Sequence, residues 1–285
     1  MIQNQSFSRA AEILKMPKSS VSRAISRLER ESGTKLIVRT TRSLTLTAAG
    51  RVFYEASIGP VIQLEDAQKS LYGKDSILTG LVRITAPEDW GALVVAPAIA
   101  DLSSQHKDLT FELSYTEEIV DLVKDGFDIA IRIGRIPDSD LKLKRVGEID
   151  MIAVASPRYL KTASRIKQPQ DLRGQVCISF GQQTMARKWT LRSPKGTMHV
   201  PIKTKISSNH MTSLLYLVEA GGGVALLPSF LCKAQLSIGK LIDVLPGWRS
   251  PSFPVSIVTP LQPSSSARLK ITVDKLYSAL AAAIK

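Results

Sequence analysis

The chain of 285 residues is 44% apolar and 22% charged and carries a net charge of +13. Those proportions exclude a disordered chain, and the length suits one large domain or two to three smaller ones, each with its own core. No apolar run approaches the ~20 residues needed to span a bilayer, and Met1 leads straight into polar residues rather than a secretory signal, so a cytoplasmic protein without membrane contact is expected.

The charge is uneven. Residues 1–51 hold ten cations against three acids, so more than half of the net charge lies in under a fifth of the chain. Within that segment Phe7, Ala10, Ala11 and Leu14 fall at helical spacing. Pro17 then interrupts the pattern, which resumes at Val21, Ala24, Ile25 and Leu28. Two short amphipathic helices with a tight break make a helix-turn-helix. The second helix turns Lys18, Ser19, Ser22, Arg23, Ser26 and Arg27 outward, short donors and long cations suited to base edges and phosphates. A solvated helical hairpin would show the same stripe; the surrounding positive charge favours a polyanion binder.

Leu36–Val38 and Leu44–Leu46 are short β-type segments around a basic turn, a two-stranded wing whose tip can reach a phosphate or a minor groove. Thr47 is an N-cap candidate for a helix opening at Ala48 and running to about residue 73, bent at Gly59-Pro60. Its sparse apolar stripe suits a dimer contact or connector.

From Leu81 strands and helices alternate. Strands are expected at 81–85, 111–115, 127–133, 151–155, 176–180, 224–228, 241–245 and 255–259, with a strand pair around 188–191 and 199–206. Helices are expected at 90–102, 117–124, 208–220 and 267–283, with another opened by Ser156-Pro157. This alternation implies an α/β architecture with largely parallel sheets, in two lobes crossed near Ser156 and again near Pro260. A cleft between two lobes is a ligand site.

In order along the chain, SFSRAAEILKMPKSSVSRAISRLE, VRTTRSLTLTAAG, VDLVKDGFDIAIRIG, ASPRYL, DLRG and GGGVALLP resemble the LysR-type transcriptional regulators over nearly the whole length. The resemblance implies a winged helix-turn-helix at 1–50, a dimerising linker helix at 51–77, and a two-lobed effector domain at 78–285 of the type 2 periplasmic-binding-protein kind. Its first lobe would take about 78–156 and 260–285, its second about 157–259. The resemblance also implies a homo-oligomer, dimer or tetramer, on double-stranded promoter DNA, with a small-molecule effector in the cleft, commonly an organic acid or aromatic. RNA polymerase is a further candidate partner. Carried over by position, the DNA contacts are Lys18, Ser19, Ser22, Arg23 and Arg27 on the helix and Arg39, Thr40 and Arg42 on the wing. Two departures stand out: Pro17 takes the place of a small polar cap and is expected in the first turn of the reading helix, and Met1 falls just short of the helix that relatives carry ahead of the SFS segment, so an N-terminally incomplete domain is expected.

Effector contacts are expected where strands end: Thr85, Ala86, Pro87, Glu88; Gly134, Arg135, Ile136; Phe180; Ser208, Asn209, His210; and Leu227, Pro228. Two of these groups precede helices, whose free N–H groups favour an anion. Ser208 and Asn209 double as cap candidates, and Glu88 beside an anion site points toward a cationic or hydroxylated ligand instead. No cofactor or metal is called for: Cys177 and Cys232 are 55 positions apart with no His at ligand spacing, and read as buried reduced thiols. An enzyme is disfavoured by scattered histidines without a G-x-S-x-G elbow, and by a Gly221–Gly223 run that lacks the lysine of a phosphate loop. The remaining alternative is a ligand-binding module, related to solute-binding proteins, that binds DNA poorly because its N-terminal domain is short.

Overall fold

The computed structural model describes residues 7–39, 44–54, 56, 57, 61, 64, 78–136, 141–181, 187–260 and 262–284. It divides into two compact units, residues 1–76 and residues 77–285.

In the first unit, α1 (Phe7–Ile13) and α2 (Lys18–Ser32) form the helix-turn-helix. Ala10, Ala11 and Val21 are its buried centre. Leu14 lies past the end of α1 and is 56% exposed, contrary to the expected stripe. Pro17 sits just outside α2 with extended backbone, as its N-cap rather than in its first turn. Strands β1 (Ile37–Arg39) and β2 (Leu44–Leu46) pair antiparallel as the wing. Thr47 caps the next helix as expected: its Oγ1 accepts from Gly50 N at 2.9 Å and donates to Lys35 O at 2.7 Å. Gly50 is required there, because a Cβ would lie 1.9 Å from the Leu36 carbonyl oxygen. The chain is helical over 48–54; most of the expected linker helix lies outside the described residues.

The second unit contains two sheets. The first runs in the order β4 (Leu109–Tyr115), β3 (Gly80–Ala86), β5 (Ile129–Ile133), β13 (Phe253–Thr259), β6 (Lys142–Ile149). The second runs β12 (Ile242–Asp243), β7 (Met151–Ala155), β11 (Val224–Pro228), β8 (Val176–Phe180), β10 (Gly196–Ser208), β9 (Arg187–Ser193). Parallel ladders join β3 to β4 and β5, and β8 to β10 and β11. The other five ladders are antiparallel, so both sheets are mixed rather than largely parallel.

The sheets also relocate the crossings. The chain leaves the first sheet between Ile149 and Met151, not at Ser156, and returns between Asp243 and Phe253, not at Pro260. Strand β6 was not expected because half of KLKRVGEI is charged and half is exposed; it is an edge strand, where charge discourages stray pairing. The helix expected from residue 117 is only α5 (Leu122–Asp125), since Asp121 caps Val123 N and Lys124 N and left-handed Gly126 ends it.

A helix from Glu88 (α3, Glu88–Trp90) passes through a π turn at Gly91–Val95 into α4 (Ala96–Gln105), and packs with α9 (Ala267–Ile284) on the first sheet. Trp90, Ile84, Ile129, Ile131, Leu102 and Leu276 fill this core. On the second sheet lie α6 (Pro157–Leu160), opened by Ser156 as expected, α7 (Met211–Glu219) and α8 (Ser229–Ser237). Phe230 bridges the lobes: it packs on both cores, and its ring centroid is 4.2 Å from that of Trp90. Both cysteines are free and buried, in separate clusters, and burial pushes each thiol up to about 12, far from a reactive thiolate. No described helix is long and apolar enough to cross a membrane.

Candidate functional site

Two surfaces emerge from this frame. The first is α2. Its inward side buries Val21 and half-buries Ile25 and Leu28, so Lys18, Ser19, Arg23, Ser26 and Arg27 are left facing outward. Arg23 rests on its own helix, Nε on Ser19 O at 3.4 Å and Nη2 on Ser20 Oγ at 3.5 Å. Arg27 donates to Glu31 at 2.7 Å in an exposed i,i+4 pair. Such a pair is worth only about 0.3–0.5 kcal/mol, so a phosphate can displace it. Ser22 is half-buried rather than fully outward. Arg39 belongs to β1, while Thr40 and Arg42 lie outside the described residues.

Glu29 ties α2 to the wing. Its carboxylate is 8% exposed and accepts from Leu36 N at 2.9 Å, Ile37 N at 3.1 Å and Lys35 Nζ at 2.9 Å. The lysine and these backbone donors hold the carboxyl below its ordinary range.

The second surface lies between the lobes, where β3, β4 and β5 end. Glu88 of the first lobe meets His210 Nε2 of the second. His210 also caps α7, its Nδ1 accepting from Ser213 N at 3.1 Å. The cap is therefore His210, and neither Ser208 nor Asn209; Ser208 Oγ instead accepts from His210 N at 3.2 Å. Beside Glu88, Asp89 is 5% exposed, and burial pushes its carboxyl up to about 6, with the Glu117 charge adding to the rise and Trp90 N–H and His210 opposing it. Glu117 Oε1 accepts from Glu88 N at 3.2 Å. Both helix starts are thus already served by this chain's own side chains, which removes the sequence argument for an anion at those positions.

The unexpected residue is Arg132. It stands on β5 between Ile131 and Ile133, which face the core, and so points to the opposite side of the sheet. Thr85 is registered with Ala130, two residues before Arg132, on that same side. Standard strand spacings put the Thr85 and Arg132 Cα atoms roughly 8 Å apart. Thr85 Oγ1 and Arg132 Nη2 are both buried without a hydrogen-bond partner among the described residues; Arg132 Nη1 reaches Glu118 O at 3.5 Å. Burial lowers the Arg132 pKa, and the Glu117 charge offsets part of that. A charged residue amid an apolar strand, FDIAIRI, was the signal in the sequence.

The other expected effector residues divide. Pro87 precedes α3, Phe180 is exposed at the end of β8 and registered with Ser208, and Asn209 and Arg135 are exposed. Gly134 carries left-handed backbone and donates to Pro254 O at 2.8 Å. Ala86 and Leu227 are fully buried in the two lobe cores and present no side chain to a cleft, while half-buried Ile136 packs against the small cluster of Leu122, Ala130 and Val258. Pro228 is buried at the start of α8. No group of acids, histidines and cysteines among the described residues has metal-binding geometry.

Two segments of the chain match known protein families. Residues 1–51 match the family described as bacterial regulatory helix-turn-helix protein, lysR family, and residues 76–280 match the LysR substrate binding domain. The chain is 31% identical over 260 residues to an uncharacterised HTH-type transcriptional regulator of Haemophilus influenzae, covering 91% of this chain and 90% of that one. It is 30% identical over 274 residues to the regulator PtxR of Pseudomonas aeruginosa, covering 96% and 88%. Among solved structures, CrgA, a LysR-type regulator of Neisseria meningitidis, superposes with a TM-score of 0.65 at 27% identity, covering 96% of this chain and 94% of that one.

Proposed function

The chain belongs to the LysR family, DNA-binding transcriptional regulators with an effector-binding domain, and on that premise we propose how its residues divide the work. Lys18, Ser19, Ser22, Arg23 and Arg27 read base edges and neighbouring phosphates in a major groove, while Arg39, Thr40 and Arg42 hold the backbone beside it. Residues 1–50 are the reading domain, 51–77 the dimerising linker, and 78–285 the effector domain. A symmetric homo-oligomer would then read half-sites with approximate two-fold symmetry. The protein works in the cytoplasm without enzymatic activity, with RNA polymerase as a further partner. The outward cations Lys18, Arg23 and Arg27 of α2, whose acid pairing among the described residues is the weak Arg27–Glu31 pair, carry this reading.

For the effector, we propose a small organic acid whose carboxylate takes the open Nη2 of Arg132 and the hydroxyl of Thr85. Two buried polar groups that lack partners among the described residues, on one sheet face and near the ends of their strands, support it. Glu88, Asp89 and His210 then face the remainder of the ligand and favour hydroxyl or amine groups there.

The test has two arms. A gel shift on DNA upstream of the protein's own gene, repeated at raised salt, should retain a sequence-specific complex; no complex at any salt overturns the regulator reading. A thermal-shift screen of small carboxylic acids against their amides should stabilise the protein with acids alone, and Arg132→Met should abolish the shift. Equal shifts by acid and amide overturn the effector reading and leave the DNA reading untouched.

A further inference from the structure

The effector domain is electrically split. Residues 77–150 hold eight cations and fourteen acids, whereas residues 151–250 hold fourteen cations and three acids. This second block, nearly all of the six-stranded lobe, is more positive than the helix-turn-helix segment itself.

Its three acids lie outside β9 and β10, and two of them are engaged with neighbours of their own. Asp171 accepts from Lys167 N and Gln168 N, Asp243 pairs with Arg249 at 2.9 Å, and Glu219 lies at the end of α7. The cations concentrate on the β9–β10 ribbon at one edge of the sheet. Trp189, Leu191, Val200 and Ile202 face inward and are buried. The alternate positions Lys188 and Arg192 face outward, paired in register with Pro201 and Thr197, and exposed Lys203 and Lys205 extend the row along β10. Lys195 stands exposed at the turn. None of these five forms an ion pair among the described residues.

Lys188, Arg192 and Lys195 on the two-stranded ribbon, with Lys203 and Lys205 just beyond it where β10 pairs with β8, form a row of one sign whose mutual repulsion a polyanion would relieve. The ribbon is covalently joined to a DNA-reading domain, which raises its local concentration near a phosphate backbone. We propose that the β9–β10 ribbon is a second DNA-contacting surface, holding backbone phosphates outside the base pairs read by α2. The ribbon carries no base specificity; it adds affinity and salt dependence and favours DNA that extends beyond, or bends back toward, the effector domain.

The test uses the full chain with all five residues changed to glutamine (K188Q, R192Q, K195Q, K203Q, K205Q), and a second variant carrying arginine at the four lysine positions. Binding is followed by fluorescence anisotropy across a salt series, on a minimal footprint and on the same site lengthened at both ends. Removing one cation–phosphate pairing should flatten the log–log salt slope by about 0.9. The glutamine variant should lose about 3–4 in slope and more than tenfold in affinity on the long fragment while matching the parent on the short one. The arginine variant should retain the parent behaviour, which separates charge from folding. Equal slopes for parent and glutamine variant on the long fragment overturn the proposal, as does a loss of the same size on both fragments. Unchanged DNA binding with lost transcriptional response, or with altered sedimentation, assigns the ribbon to polymerase or to a second copy and equally overturns it.

Discussion

Replacing Asp89 with Asn should alter how stability depends on pH. In the native state the Asp89 carboxyl is 5% exposed and is pushed from an ordinary 3.8 to about 6, first by burial. A raised acid pKa means that the folded protein resists ionising a group that the unfolded chain ionises freely. Below about pH 4 both states hold the proton and Asp89 contributes nothing. Between about pH 4 and 6 the unfolded chain releases its proton while the native state keeps it, so stability falls as pH rises; above that range the deficit is constant. At about 1.4 kcal/mol per pH unit, the rise to about 6 corresponds to about 3 kcal/mol. Asn retains an oxygen to accept from Trp90 N, as Asp89 Oδ1 does at 2.9 Å, but cannot ionise. Trp90, Trp189 and Trp248 all lie in the effector unit, so urea unfolding followed by tryptophan fluorescence reports that unit alone. The difference in stability between Asp89→Asn and the parent should grow by about 3 kcal/mol in favour of the variant between pH 4 and 7 and then level off. A difference that stays constant across that range would refute the reasoning.

Other perturbations give distinct readouts. Glu29→Ala should lower the unfolding free energy of the helix-turn-helix unit by about 2–3 kcal/mol, since Leu36 N and Ile37 N lose their acceptor, and should weaken DNA binding with it; circular dichroism melts and a gel shift check both. Gly91→Ala should cost about 1–3 kcal/mol because its methyl would lie 2.4 Å from the Tyr115 ring, and a smaller residue at 115 should restore part of that loss in urea unfolding. Arg39→Ala should weaken DNA binding across all sequences and reduce the salt slope by about one; an unchanged slope removes the wing from the interface. Arg132→Met should leave urea stability equal or higher, because a poorly compensated buried charge is removed, while effector binding falls more than tenfold by calorimetry.

The helix-turn-helix, the wing and most strands were readable because apolar periodicity and punctuation by proline, glycine and small caps act locally. Thr47 and Ser156 cap where their sequence contexts say they should. What failed to show was set by pairing at long range. Strand β6 carries too little apolar content to announce itself, and only its register with β13 makes it a strand. The lobe crossings moved because nothing in MIAVA or VSIVT says which sheet each will join. At the cleft, Glu88 and His210 were each visible, but their union depends on two lobes meeting 122 positions apart in sequence. Arg132 showed only as one charge in a strand that otherwise reads as core, and the alternation of faces is what turns its guanidinium away from that core.

The carboxylate of Glu29 bears on evolution as much as on stability. Three donors from residues 35–37 converge on one side chain of α2, so the pitch of the wing relative to the reading helix is fixed inside the domain. On the proposed division of work, outward residues of α2 can therefore be exchanged to change the bases read without re-aiming the wing, and wing residues can be exchanged to change affinity without shifting the register of the helix. Specificity and grip would then be independent variables for selection, and a substitution at position 29 would couple them again.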